Sequence, residues 1–165
     1  MAAGRTHDII NLSFLPVAVY YLQPENFGGF ISGYIIGTFF LSPDNDIYHS
    51  KPNRRWKVLR FIWYPYTRVF SHRGVSHLPV LGSIFKLFYL IFVIFTVFLF
   101  MLFLIYLIQP DLLKKFSFEI NLDSLILILK HPFTVSFLIG LLLSEIVHIA
   151  TDVIYSTAKR LKLIR

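Results

Sequence analysis

Leu78–Ile108, LPVLGSIFKLFYLIFVIFTVFLFMLFLIYLI, is the stretch whose reading decides the fold. Only Lys86 brings a formal charge into it. Runs of ~18 or more apolar residues read as membrane helices, because in hydrocarbon a helix is one of the few ways to satisfy every backbone polar group internally. At ~1.5 Å per residue this run exceeds the ~30 Å hydrocarbon core, so it is expected to cross with a tilt while Lys86 snorkels to the near interface. The whole chain has the same character: 56% of its 165 residues are hydrophobic, 18 are Phe, and mean hydropathy is +0.65, too apolar for an ordinary soluble domain. Its length suits one domain. The fold expected is therefore all-α, a single integral membrane helical bundle.

Upstream of that run the sequence offers two shorter apolar segments. Thr6 is a candidate N-cap for a helix over about residues 7–22, whose apolar part from Ile9 gives roughly 21 Å of helix, short of a full crossing. After the turn Gln23-Pro24-Glu25-Asn26, a second helix over about 27–41 carries Gly29, Gly33 and Gly37 at four-residue spacing. Such a small-residue ridge lets two membrane helices approach closely. Pro43 ends that helix, since the residue before proline leaves the α region. Downstream of the long run, Gln109-Pro110-Asp111 stops it, and Leu125–Leu129 is compatible with a short strand or an interfacial helix. A last helix is expected over about 133–157. With the long helix placed at 77–108, Ser76 as its cap and His77 in its first turn, the sequence predicts about four membrane helices and a loop over 42–76.

Charge sets the orientation. Lys51, Arg54, Arg55, Lys57, Arg60, Arg68 and Arg73 lie in the 42–76 loop with Trp56, Trp63, Tyr64 and Tyr66 between them, and no acidic residue occurs between Asp46 and Asp111. Basic and aromatic residues together can bind nucleic acid. Beside a membrane span they read instead as a cytoplasmic loop at headgroup level, so membrane lipids are the partners expected and nucleic acid is not. Four crossings put the N-terminus, this loop and the basic tail at 159–165 on one side, and the positive-inside rule makes that side the cytoplasm of a bacterial inner or plasma membrane.

The ionisable residues of the apolar parts fall into groups that this topology brings to one membrane face. They are His7-Asp8, Asp44-Asn45-Asp46 with His49, His72 and His77, and Glu145-His148-Asp152. The last trio, at i, i+3 and i+7, lies within roughly 60° on one helix face. Two carboxylates and an imidazole inside a membrane helix are costly, and such residues are functional by default. Because the chain has no cysteine, ligation is left to imidazole and carboxylate, which admits zinc by preference and also manganese or iron. The expected metal ligands are His7, Asp44, Asp46, His72, His77, His148 and Asp152. These exceed the three or four protein ligands of one zinc site, so one or two ions fit. Glu145, about 10 Å from Asp152 along the axis, is expected to be the base that deprotonates water or a ligand of a second ion. His131 lies at the opposite end and is expected to face solvent or interface.

The run Gly4-Arg5-Thr6-His7-Asp8, then Ser42-Pro43-Asp44-Asn45-Asp46, then His72-Arg73-Gly74-Val75-Ser76-His77, then Glu145-Ile146-Val147-His148 with Asp152, resembles a bacterial, notably cyanobacterial, family of uncharacterised metal-binding membrane proteins. It is also similar to the wider group of predicted membrane-bound metal-dependent hydrolases, which includes a LexA-regulated inner-membrane protein. The resemblance implies metal binding and suggests hydrolysis. The function expected is a membrane-embedded metal-dependent hydrolase acting on a small or lipid-like substrate such as a phosphoester, with a non-catalytic metal-binding membrane protein as the alternative.

This topology is open to a direct measurement, because the native chain has no cysteine. Single cysteines introduced near each terminus and at Lys57 are expected to react only with reagent supplied from the cytoplasmic side. A C-terminal tail labelled from outside, with the N-terminus labelled from inside, would refute four crossings.

Overall fold

The structure, a computed structural model, describes residues 4–70, 74, 77–113 and 121–162. Among them the chain is all-helical, without a strand. Helix α1 spans Gly4–Leu22, α2 Phe27–Phe39, α3 Lys51–Arg55, α4 Trp63–Val69, α5 Leu81–Ile108, α6 Pro110–Leu113, α7 Leu122–Lys130 and α8 Pro132–Arg160. Short 3-10 turns at Pro43–Asp46 and Lys57–Ile62 complete the described chain. Among the described residues two helices, α5 and α8, are long and apolar enough to cross a membrane.

The end of α1 and the start of α2 have local causes. Helix α1 begins at Gly4, so Thr6 sits inside its first turn and does not cap it. Its 19 residues make it longer than the apolar segment alone suggests, and it continues through Pro16. It stops where Gln23 takes a positive φ of 41° and its N–H bonds back to the Val19 carbonyl, a left-handed helix end that Pro24 then follows. Asn26 caps α2 by accepting from the Gly29 N–H at 2.7 Å, while its own N–H donates to Ser136 Oγ of α8 at 3.1 Å. At 13 residues, α2 is about 20 Å long, well under the ~30 Å hydrocarbon core.

The bundle is organised by the contact between α2 and α8. A Cβ built on Gly29 would lie 2.5 Å from the Phe133 carbonyl oxygen, and one on Gly33 2.0 Å from that of Phe137. On Gly37 it would meet Ser144 Oγ at 2.0 Å and the Leu141 carbonyl at 3.1 Å. Both sequences advance by four along this seam, so α2 and α8 run parallel, backbone against backbone. Gly140 answers from the other side, its would-be Cβ 2.1 Å from the Phe30 carbonyl. The ridge predicted at Gly29, Gly33 and Gly37 is thus a helix–helix contact that only glycine permits. Beside it, Ala18, Phe30 and Tyr34 form a buried cluster with Leu15 and Leu143, and Tyr34 donates to the Asn11 carbonyl at 3.1 Å, tying α1 to α2.

Residues 42–70 depart from the loop expected there. They fold into short helices that pack onto the end of the bundle. Trp63 and Tyr66 are fully buried with Leu41 and Leu141, edge-on to one another at 5.5 Å, and Trp56, Phe70 and Tyr89 close around them. Two of the residues read as an aromatic belt are therefore core. The cations are also partly engaged internally: Arg55 donates to the Phe39 carbonyl at 3.1 Å, and Arg60 lies over the Tyr48 ring at 4.1 Å. Residues 71–73, 75 and 76 lie outside the described set, and with them the expected cap Ser76. Helix α5 begins at Leu81, four residues later than expected, after Val80 adopts a φ of 70°, a conformation a β-branched residue takes only under strain. Leu122–Lys130 resolves as helix α7, capped by Asn121, whose side chain accepts from Asp123 N–H at 2.9 Å.

The seam gives a sharp mutational contrast. Gly33→Ala forces Cβ onto a backbone oxygen and is expected to cost about 1–3 kcal/mol, read as a lower thermal midpoint in detergent. Gly28→Ala meets only Asn26 Oδ1, at 3.5 Å, and is expected to be neutral or slightly stabilising because alanine is the better helix former. Equal midpoints for the two variants would contradict the α2–α8 packing.

Candidate metal centre

The parallel seam places the C-terminal end of α2 beside the middle of α8, at the level of Leu141 and Ser144. The antiparallel α1 brings its first turns to the same end, and the chain returns there just before α5. His7, the 3-10 turn after α2, His77, and the second half of α8 consequently converge. His7 Nε2 is 3.3 Å from Asp152 Oδ1; His148 Nε2 is 3.6 Å and His77 Nε2 3.8 Å from Asp44 Oδ1. The His7 and His148 rings stack at 3.9 Å with planes 16° apart. Two trios, His7–His148–Asp152 and Asp44–His77–Asp152, each offer three donor atoms within 4.8 Å of one another. They share Asp152.

Small polar residues hold these donors in place. Ser42 caps the turn, accepting from the Asp44 N–H at 3.4 Å, and its Oγ is also 3.4 Å from His148 Nδ1. Asn45 and Asn53, both fully buried, clasp each other. Asn45 Nδ2 donates to Asn53 Oδ1 at 2.7 Å, and Asn53 Nδ2 donates to the carbonyls of Asn45 and Ile47 at 3.0 and 2.9 Å. The turn that presents Asp44 is therefore fixed from behind. Asp46 Oδ2 sits 3.4 Å from His77 Nδ1, the carboxylate–imidazole arrangement that orients a ligating histidine. Burial pushes the Asp44 carboxyl up, but contact with His148 and the charge of His148, His7 and His77 outweigh it and hold the group below the usual carboxylate range.

Several donor atoms at this end are buried without a hydrogen bond: His7 Nδ1, Asp44 Oδ1, His148 Nε2 and Asp152 Oδ1. Buried polar atoms are nearly always satisfied, so a cluster of orphans marks a place where something else completes the set. Imidazole nitrogen and carboxylate oxygen are the donor chemistry of zinc, manganese and iron, so the residues present fit a divalent ion. The surroundings are asymmetric. On the His7–His148 side a cavity of only about 10 Å³ reaches Thr38, Ser42 and Asp44. On the other, His77 and Asp152 line an open cavity of about 320 Å³.

Among the residues singled out by sequence, His7, Asp44, His77, His148 and Asp152 come together, with Asp46 directly behind His77. His72 lies outside the described residues. His49 is turned away: it is exposed and its Nδ1 faces Arg60 at 2.7 Å. Asp8 is also diverted, accepting from Arg55 at 2.6 Å and from Lys51. His131 is exposed and caps α8, Nδ1 accepting from the Phe133 N–H at 3.2 Å. Glu145 has a neighbourhood the sequence did not suggest. Its Oε1 accepts from Lys86 Nζ at 3.0 Å and its Oε2 from Ser83 Oγ, while Lys86 also donates to the Leu41 carbonyl at 2.9 Å. Lys86 does not snorkel; it is fully buried, because a carboxylate and a carbonyl lie within reach inside the bundle. Ser42 and Asn45 stand in the sequence only as members of the run around Asp44 and Asp46, and Asn53 carries no signal there; their bracing contacts come from the structure.

The chain matches, over residues 2–162, the family described as "Uncharacterized metal-binding protein (DUF2227)". A protein of Aquifex aeolicus (strain VF5) described as "Uncharacterized protein" is 47% identical over 130 residues, which cover 78% of this chain and 90% of the relative. No solved structure matches.

The Lys86–Glu145 pair can be tested without reference to a metal. Removing one partner strands a buried charge, so Lys86→Met and Glu145→Leu are each expected to destabilise by about 3–5 kcal/mol. The double variant Lys86→Met, Glu145→Leu is expected to recover most of that loss. Additive losses in a thermal double-mutant cycle would show that the two side chains are not coupled.

Proposed function

The chain belongs to the metal-binding family DUF2227, and from that premise we propose that it is a membrane-embedded, metal-dependent hydrolase with its site at the cytoplasmic ends of four crossing helices. One observation carries the reading: five imidazole and carboxylate donors from four separate segments meet at one end of the bundle, with buried atoms of four of them lacking hydrogen bonds. His7, Asp44, His77, His148 and Asp152 would hold the ion, zinc by preference. Asp46 would orient His77, and Ser42 would fix His148. A bound divalent ion supplies Lewis acidity, polarising a substrate oxygen and easing loss of a proton from water. His72 stays in the proposed ligand set on its His-Arg-Gly-Val-Ser-His motif alone.

Catalysis needs a coordination position open to substrate, whereas a structural site is closed. The open cavity beside His77 and Asp152 supports the catalytic reading, as does the resemblance to membrane-bound metal-dependent hydrolases. The tight cavity beside His7 and His148 favours the second reading, a non-catalytic metal-binding membrane protein. Glu145 we assign to positioning rather than to proton transfer. Both its oxygens already accept hydrogen bonds, and through Lys86 it steadies the Leu41 carbonyl, just ahead of the aspartate turn.

Membrane embedding draws on α5, whose outer face exposes Phe88, Ile91, Phe92, Ile94 and Phe95, all more than half accessible. Such a surface needs lipid or another apolar cover. Lys51 and Arg55, both on Asp8 beside His7, and Arg160, in the cavity with His77 and Asp152, lie toward the same end as the donors, which the positive-inside rule makes cytoplasmic.

Protein purified in neutral detergent is expected to carry a divalent metal and to hydrolyse members of a phosphoester panel. His148→Ala should abolish both, and Asp46→Asn should lower metal affinity about 10–100-fold. Full metal occupancy in His148→Ala would sink the site. Stoichiometric metal with no turnover on any ester would leave the non-catalytic reading.

A further inference from the structure

The cavity of about 320 Å³ beside the donors has a chemical gradient along one face of α8. In helix order, Ile149 and Val153 flank Asp152 as an apolar wall, Ser156 and Thr157 follow with hydroxyls, and Arg160 stands at the far end, with His77 beside Asp152. The helical residues recur at three- and four-residue steps, so they share one face. Helical side chains lean toward the N-terminus, which carries the Arg160 guanidinium back toward Asp152. The two Cα positions are about 12 Å apart at 1.5 Å per residue, and an arginine covers a good part of that. Among the described residues no carboxylate pairs with Arg160.

We propose that this cavity binds the phosphate ester of an amphiphile, with Arg160 taking phosphate oxygens, Ser156 and Thr157 donating to them, and the chain of the alcohol lying along Ile149 and Val153. The proposal rests on the hydrolase reading above and names its substrate class. Three features select this chemistry. A planar guanidinium with two hydroxyls suits a phosphoryl group, which offers several acceptor oxygens. The apolar wall gives no partner to a sugar or a peptide but accommodates an alkyl chain. The volume lies at the small-molecule end of the usual range of ~300–1,000 Å³. A phosphate held between Arg160 and the donors would have its ester bond at the edge of the metal centre.

The test uses the full chain in neutral detergent, loaded with zinc, and reads binding by calorimetry. Dodecyl phosphate and inorganic phosphate are the two probes. Dodecyl phosphate is expected to bind, and Arg160→Gln to weaken it at least ~10-fold, as loss of a charged hydrogen bond predicts. Arg160→Lys should recover part of that loss. Val153→Asn should weaken dodecyl phosphate while leaving inorganic phosphate unchanged, because only the ester brings a chain to that wall. Lys159→Gln, one residue away but outside the cavity lining, should bind like wild type. Equal affinity of Arg160→Gln and wild type, or an equal loss in Lys159→Gln, would overturn the proposal by reducing the effect to general charge. Equal sensitivity of both probes to Val153→Asn would remove the amphiphile and leave phosphate alone, which also overturns it. Failure of the hydrolase reading looks different: dodecyl phosphate would bind with the full Arg160 dependence, and no ester would turn over.

Discussion

The close approach of α2 to α8 is the constraint on which everything else depends. Because Gly29, Gly33 and Gly37 present backbone to the carbonyls of Phe133, Phe137 and Leu141, the two helices run parallel in a fixed register. That register delivers the turn after α2 to the level of His148. A shift by one helical turn, about 5.4 Å, would carry Asp44 out of reach of His148 and His77. Small residues in the middle of a bundle thus set the geometry of donors at its end.

A second layer of control is the buried pair of Lys86 and Glu145. Two charges inside an apolar bundle are expensive to desolvate, and the pair contributes little net stability over apolar residues of the same size. What it does contribute is specificity of position: Lys86 joins α5, α8 and the last residues of the α2 segment through Glu145 and the Leu41 carbonyl. The Asn45–Asn53 clasp acts in the same sense on the other side of the aspartate turn. The donors are therefore braced from two directions before any ion arrives, which lowers the reorganisation needed to bind one.

Much of this was legible in the sequence. Hydropathy located the long apolar helices to within a few residues, and the four-residue glycine spacing announced a close helix contact. The i, i+3, i+7 spacing of Glu145, His148 and Asp152 put them on one face, and helix parity brought His7, Asp44 and His77 to the same end. What failed had a common cause: a side chain's partner was long-range in sequence. Lys86 reads as a snorkelling cation unless Glu145, 59 positions away, is known to face it. His49 and Asp8 fall in the ionisable groups gathered at that face, yet Arg60, Lys51 and Arg55 occupy them. The segment after residue 42 reads as a headgroup loop because tryptophan and tyrosine suit an interface as well as a core, and periodicity over such short helices is too brief to separate the two.

The contact between His7 and Asp152 joins the first helix of this chain to the last. During synthesis α1 is made long before α8 exists, so the donor set stays incomplete until α8 has emerged and docked on the glycine seam. An ion seated there would act as a clasp between two helices made far apart in time, and its loss would loosen them together.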